Sequence, residues 1–139
     1  MRIGELAKLG QVSKDTVRYY VELGLLLAGK NPDNGYQEFS PAMANRLQFI
    51  KTAQRLGFKL EEITDIFRSA EQSESPCANV RDIIQRRIIQ TRQQILDLER
   101  LCQRMESALT AWENLPDGVP NGNSVCRLIE SQFLPNQQT

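Results

Sequence analysis

The chain has 139 residues, with 17 Lys+Arg against 17 Asp+Glu, no histidine and three cysteines. That length suits one compact domain with an appendage, and the zero net charge excludes a globally basic protein. Without histidine the usual Ser/His and Cys/His nucleophilic arrangements cannot be built, and no Gly-rich phosphate loop is present, so the chain does not read as an enzyme.

Ile3, Leu6 and Ala7 mark an amphipathic first helix, and Met1-Arg2-Ile3-Gly4 leads straight into it without the apolar core of a signal peptide. No apolar run approaches membrane-spanning length, so no membrane partner is expected. Three cysteines in such a chain point to free thiols in the cytoplasm. After a short turn at Gly10-Gln11-Val12, Ser13 is a good N-cap for a second helix over Lys14–Leu23, ended by Gly24 in the left-handed conformation. Val17, Tyr20 and Val21 lie on its inner side, and Lys14, Thr16, Arg18 and Tyr19 point outward. A short helix pair with a basic and aromatic outer face has the dimensions to enter a DNA major groove.

Leu25–Leu27 and Tyr36–Phe39 then read as two short strands around Asn31-Pro32-Asp33-Asn34-Gly35, where Asn-Gly supplies the positive φ angles of a tight hairpin. A hairpin directly after a recognition helix is a wing. With the wing in place the segment resembles the DNA-binding domain of the MerR family of transcriptional regulators. The likeness rests on Ile3-Gly4-Glu5-Leu6-Ala7, Thr16-Val17-Arg18-Tyr19-Tyr20, Glu22-Leu23-Gly24-Leu25-Leu26 and Asn34-Gly35-Tyr36. It continues through Leu47-Gln48-Phe49-Ile50, Leu56-Gly57-Phe58 and Glu61-Glu62-Ile63, and so covers residues 1–70. The candidate DNA-binding residues are Lys14, Thr16, Arg18, Tyr19, Tyr20 and Tyr36. Family members often carry arginine after the wing tyrosine, where this chain has Gln37. Residues 1–69 hold 10 Lys+Arg against 8 Asp+Glu, so the modest basic excess falls in this half.

Ser40-Pro41 starts a further helix, with Ser40 as N-cap, running to about Leu56 and stopping at Gly57. Ala44, Leu47, Ile50 and Ala53 approximate its inner stripe, and another helix from about Leu60 to Ser69 turns Ile63, Ile66 and Phe67 inward. The polar stretch 71–76 is a linker. Beyond it, positions 84, 88, 91, 95, 98, 102, 105, 109 and 112 alternate spacings of four and three, and only Thr91 among them is not apolar if cysteine is counted. This is a heptad seam on one helix over 77–114, about 52 Å long from residue 77 to 112. A short chain cannot bury such a seam alone, so a homodimer is expected. The resemblance implies an antiparallel coiled coil, with the start of one helix beside the end of its partner.

Residues 115–139 read as a loop, short helix and tail. Cys77 opens the long helix, and Cys126 follows a turn-rich loop in Val125-Cys126-Arg127-Leu128-Ile129. Both resemble the heavy-metal branch of the family, which implies a metal site joining Cys77 of one subunit to Cys126 of the other. Such chains usually carry a further cysteine at the end of the long helix, where this one has Trp112. Cys102 falls on the seam and reads as packing. Thiolates select soft ions, so the expected cofactor is mercury, cadmium, lead, zinc or copper. The branch with a cysteine at the position of Cys77 implies a divalent ion.

The fold class expected is all-α with a small β wing: a winged helix-turn-helix domain over 1–70, the dimerisation helix, and a C-terminal metal-binding-type loop. The function implied is a transcriptional activator that binds double-stranded promoter DNA and distorts it so that RNA polymerase can engage both promoter elements. The alternative within the same class is a sensor of an electrophile or organic ligand, using Cys77 or Cys126 as a reactive thiol.

Overall fold

The computed structural model describes residues 1–134; the last part of the expected tail, 135–139, lies outside the described residues. The chain divides into two compact units, Met1–Ile88 and a second beginning at Ile89.

The first unit opens with α1 (Ile3–Gly10) and α2 (Lys14–Glu22). Ser13 caps α2 as expected, its Oγ accepting from the Thr16 backbone N–H at 3.0 Å, and this satisfies one of the helix's orphan donors. The residue that turns the chain between the helices is Gln11, at φ 55°. Gly10 is needed for a different reason: a Cβ there would collide with the side chain of Leu47, which is fully buried. Gly24, at φ 77°, ends the α2 turn.

The wing differs from expectation. Strands β1 (Gly29–Lys30) and β2 (Gln37–Glu38) pair antiparallel, with Gly29 opposite Glu38 and Lys30 opposite Gln37. The first strand is therefore not Leu25–Leu27. Leu25 and Leu26 are fully buried in the core, and the Leu27 N–H donates to Met43 Sδ at 3.3 Å. An apolar run bound into the core cannot also form the outer hairpin, so pairing starts only after it. The connection is a loop over 31–36 rather than a two-residue turn. Gly35 N donates to Asn31 O, and Asn31 N to Tyr36 O, each at 2.8 Å.

Helix α3 (Ala42–Arg55) buries Met43, Leu47, Ile50 and Ala53, one face at helical spacing. Ser40 does not cap it with its hydroxyl; its carbonyl accepts from Met43 N at 3.0 Å instead. Gly57, at φ 95°, ends the helix. Helix α4 (Leu60–Glu71) turns Ile63 and Ile66 inward, and the Glu62 carboxylate accepts from the Lys59 N–H at its start, at 2.8 Å.

Helix α5 spans Cys77–Trp112. Its first turns belong to the first unit: Ile83 is buried, and Val80 and Ile84 pack on the same core. Arg87 closes an ion pair on Glu62, one guanidinium nitrogen, Nη2, donating to both carboxylate oxygens at 2.5 Å. Ile84, counted from the sequence as the first seam position, is thus a core contact, and the open seam starts at Ile88. The compact unit correspondingly runs past the 71–76 linker.

The second unit holds the rest of α5 and the chain that follows, including the single turn α6 (Arg127–Glu130). None of its described residues is buried. Ile95, Leu98, Met105 and Leu109 are all at least half exposed, Leu98 and Leu109 reaching 64%. Most helical stability in proteins comes from packing an apolar face, and here that face is open.

Candidate nucleic-acid interface and candidate metal ligands

The exposed face of α2 carries Lys14, Arg18 and Tyr19, with Tyr19 50% exposed. Arg18 pairs with Asp15 at 2.7 Å, both side chains mostly in water, where such a pair is worth at most about 1 kcal/mol and yields readily to a phosphate or base edge. Thr16 is half-buried, and its hydroxyl lies 2.9 Å from Ser13 Oγ, within the cap. Tyr20 does not belong with the exposed set. It is buried, and its hydroxyl donates to Gln54 Oε1 on α3 at 2.9 Å. The reason is helical periodicity: Tyr20 lies three positions from Val17, on the face that packs against α3. On the wing, Tyr36 is 57% exposed. The Arg2 guanidinium lies over its ring, 4.4 Å from the centroid. Nothing in the sequence pattern singles out Arg2, because the contact joins residues 34 positions apart.

The three cysteines are free thiols in different surroundings. Cys77 is exposed at the first residue of α5, its N–H near Ser75 Oγ at 3.4 Å. Cys126 is half-buried and is the residue on which α6 starts. Its loop is held by a network among short polar side chains. Asn121 Oδ1 accepts from the N–H groups of Asn123 (2.7 Å) and Ser124 (2.9 Å). The Glu130 carboxylate accepts from Ser124 Oγ at 2.6 Å and from Val125 N at 2.8 Å. These bonds, the Ser124 hydroxyl first, hold the Glu130 carboxyl below its usual range. The carboxylate is thereby committed to the loop and does not stand free as a ligand. The sequence shows this segment as turn-rich, but not that Glu130 is what closes it.

Cys102 is chemically distinct. Its thiol donates to Glu106 Oε1 at 3.2 Å, and that hydrogen bond, reinforced by the carboxylate's charge, pushes the thiol above its ordinary range. A thiol shifted in that direction forms its thiolate, the ligand and nucleophile, less readily. Trp112 donates its indole N–H to Ser131 Oγ at 3.3 Å, and Ser131 in turn donates to Leu128 O at 2.5 Å. It anchors the segment after α6. Among the described residues no three Cys, Asp or Glu side chains of one chain converge on a common point. Two soft thiols and no histidine fit a soft ion of low coordination number.

Residues 1–70 match the family model for the MerR HTH family regulatory protein, and residues 44–108 match that for MerR, DNA binding. The chain is 38% identical over 132 residues to the mercuric resistance operon regulatory protein of Bacillus cereus, covering 94% of this chain and 95% of that one. It is 28% identical over 131 residues to the HTH-type transcriptional regulator ZntR of Escherichia coli (strain K12), covering 94% and 90%. In fold it resembles the transcription regulator PbrR691 from Ralstonia metallidurans CH34, solved in complex with lead(II), at TM-score 0.74 over 94% of this chain and 98% of that chain, with 24% identity. It also resembles EcmrR in its DNA complex, at TM-score 0.66 and 27% identity, over 83% of this chain and 40% of that one. A winged helix-turn-helix with a basic, aromatic outer face, continuing into a long helix, is the family's architecture, and the chain belongs to the MerR family of DNA-binding transcriptional regulators.

Proposed function

We propose that this regulator acts as a homodimer that activates transcription when a soft divalent metal ion binds Cys77 of one protomer and Cys126 of the other. The observation that carries the reading is the bare second unit: from residue 89 onward no described residue is buried. Burying one Leu- or Ile-sized side chain is worth about 1.5–3 kcal/mol, and a second copy of α5 supplies that cover along the whole seam. In an antiparallel pair Cys77, the first residue of α5, lies near the end of the partner helix, beyond which Cys126 follows.

Two thiolates suit a linear ion. Zinc normally takes four ligands, and the acid nearest Cys126 in sequence, Glu130 at the end of α6, is already engaged. Mercury(II) therefore fits this donor set best, in agreement with the mercuric regulator that is 38% identical over nearly the whole chain. When bound, the ion cross-links two protomers through their thiolates. Each Cys77 leads along α5 to Ile83 and Arg87, which join the core and α4 of the DNA-binding unit. A change at Cys77 is thus delivered to a rigid body that carries its own recognition helix and wing. Activation follows by distortion of promoter DNA, presented to RNA polymerase by two such bodies held at a new relative angle.

The test is promoter unwinding and transcription with purified protein titrated with mercury(II), lead(II), cadmium(II) and zinc(II). Cys77→Ser and Cys126→Ser each abolish the metal response and leave promoter binding intact, while Cys102→Ser changes neither. Retained activation in either of the first two variants overturns the two-thiolate site and favours an organic or electrophilic effector.

A further inference from the structure

The wing is short of positive charge for an element that faces DNA. Over residues 29–39 it has one cation, Lys30, against Asp33 and Glu38. Glu38 is partly occupied, accepting from Asn31 Nδ2 at 2.8 Å, but its charge remains. A hairpin with a net negative charge is repelled by a phosphate backbone unless a neighbouring group supplies a cation.

Arg2 is placed to supply it. Met1 N donates to Phe39 O at 2.8 Å, and Phe39 N to Met1 O at 2.7 Å, so the chain start is paired with the wing just beyond β2. On its other side the Arg2 carbonyl accepts from Glu5 N and Leu6 N as α1 begins. With its backbone held from both directions, the Arg2 side chain reaches over the exposed Tyr36 ring at 4.4 Å. A guanidinium over a phenol face is attracted by the ring quadrupole, which keeps its planar donors oriented without neutralising them. Arg2 is exposed, and among the described residues it pairs with no carboxylate. Arg18, by contrast, is held by Asp15.

We infer that Arg2, presented on the Tyr36 ring, is the phosphate-binding cation of the wing. The inference rests on the wing's contact with DNA, and the experiment separates the two. Binding of the full-length dimer is measured over a range of salt concentrations. The probes are an operator duplex selected by the protein from a randomised library and an unrelated mixed-sequence duplex. Losing one phosphate contact makes the slope of log K against log salt shallower by about 0.9, and weakens both duplexes alike. Arg2→Gln, which removes one such contact from each protomer of the dimer, gives about twice that slope change, with an unaltered thermal melt. Adding Gln37→Arg, which returns a cation beside Tyr36, restores the slope. An Arg2→Gln protein whose slope equals that of the wild type overturns the inference while leaving DNA binding standing. A wild-type protein that binds neither duplex overturns both.

Discussion

Arg18 and Tyr20 stand two positions apart on α2 and face opposite sides of it. Arg18 is in solvent with a dispensable ion pair, and Tyr20 is a core side chain whose polar tip is satisfied by Gln54. Arg18→Ala is expected to weaken binding to a selected operator by about 1–3 kcal/mol, the scale of a bidentate base contact. Tyr20→Phe, which removes only a hydroxyl hydrogen bond, is expected to lower folding stability by about 0.5–1.5 kcal/mol with operator affinity unchanged at fixed salt. Operator titrations and thermal melts of the two proteins separate these outcomes; equal losses of affinity would place Tyr20 at the DNA after all. Periodicity alone could not settle Tyr20, because a tyrosine is both an apolar body and a polar tip. It could not reveal Arg2 either, since that contact exists only once the wing has folded back on the chain start.

The helices were largely legible from residue order, for a physical reason: each spans enough turns to repeat its apolar face. Leu47, Ile50 and Ala53 on α3, and Ile63 and Ile66 on α4, repeat at helical intervals and are buried as the pattern predicts. The wing was misplaced because its strands are two residues each, too short for alternation to register, while Leu25-Leu26-Leu27 presents a stronger apolar run that the core takes instead. Ile84 shows the complementary error. It obeys the heptad spacing, but it faces the first unit's core rather than the open seam. The seam proper is tested by Ile95→Glu with Leu98→Glu. Two charges at the centre of an apolar interface are expected to leave a monomer by sedimentation, with operator affinity falling because half-sites are no longer held in register. A tight dimer in that variant would mean that another surface joins the protomers.

In the proposed function, regulation depends on which chain each metal ligand comes from. One chain offers an exposed thiol at the start of α5 and a half-buried thiol at the start of α6. It also has a third thiol, Cys102, pushed above its ordinary range by its hydrogen bond to Glu106, and a tryptophan where a further ligand was expected. The sequence points to Cys77 and Cys126 through the family resemblance. It did not show that Glu130 and Asn121 order the Cys126 loop, because those hydrogen bonds run between residues with no distinctive pattern. In the proposed reading, a site shared between chains couples metal occupancy to both DNA-binding units rather than to one. The most direct test is a mixed dimer with Cys77→Ser on one chain and Cys126→Ser on the other, titrated with mercury(II) while thiolate–mercury ultraviolet absorption is followed. Ligands that cross between protomers leave one intact Cys77–Cys126 pair, so the mixed dimer binds one ion at wild-type affinity, whereas a mixed dimer that binds none shows that both ligands belong to the same chain and contradicts the account.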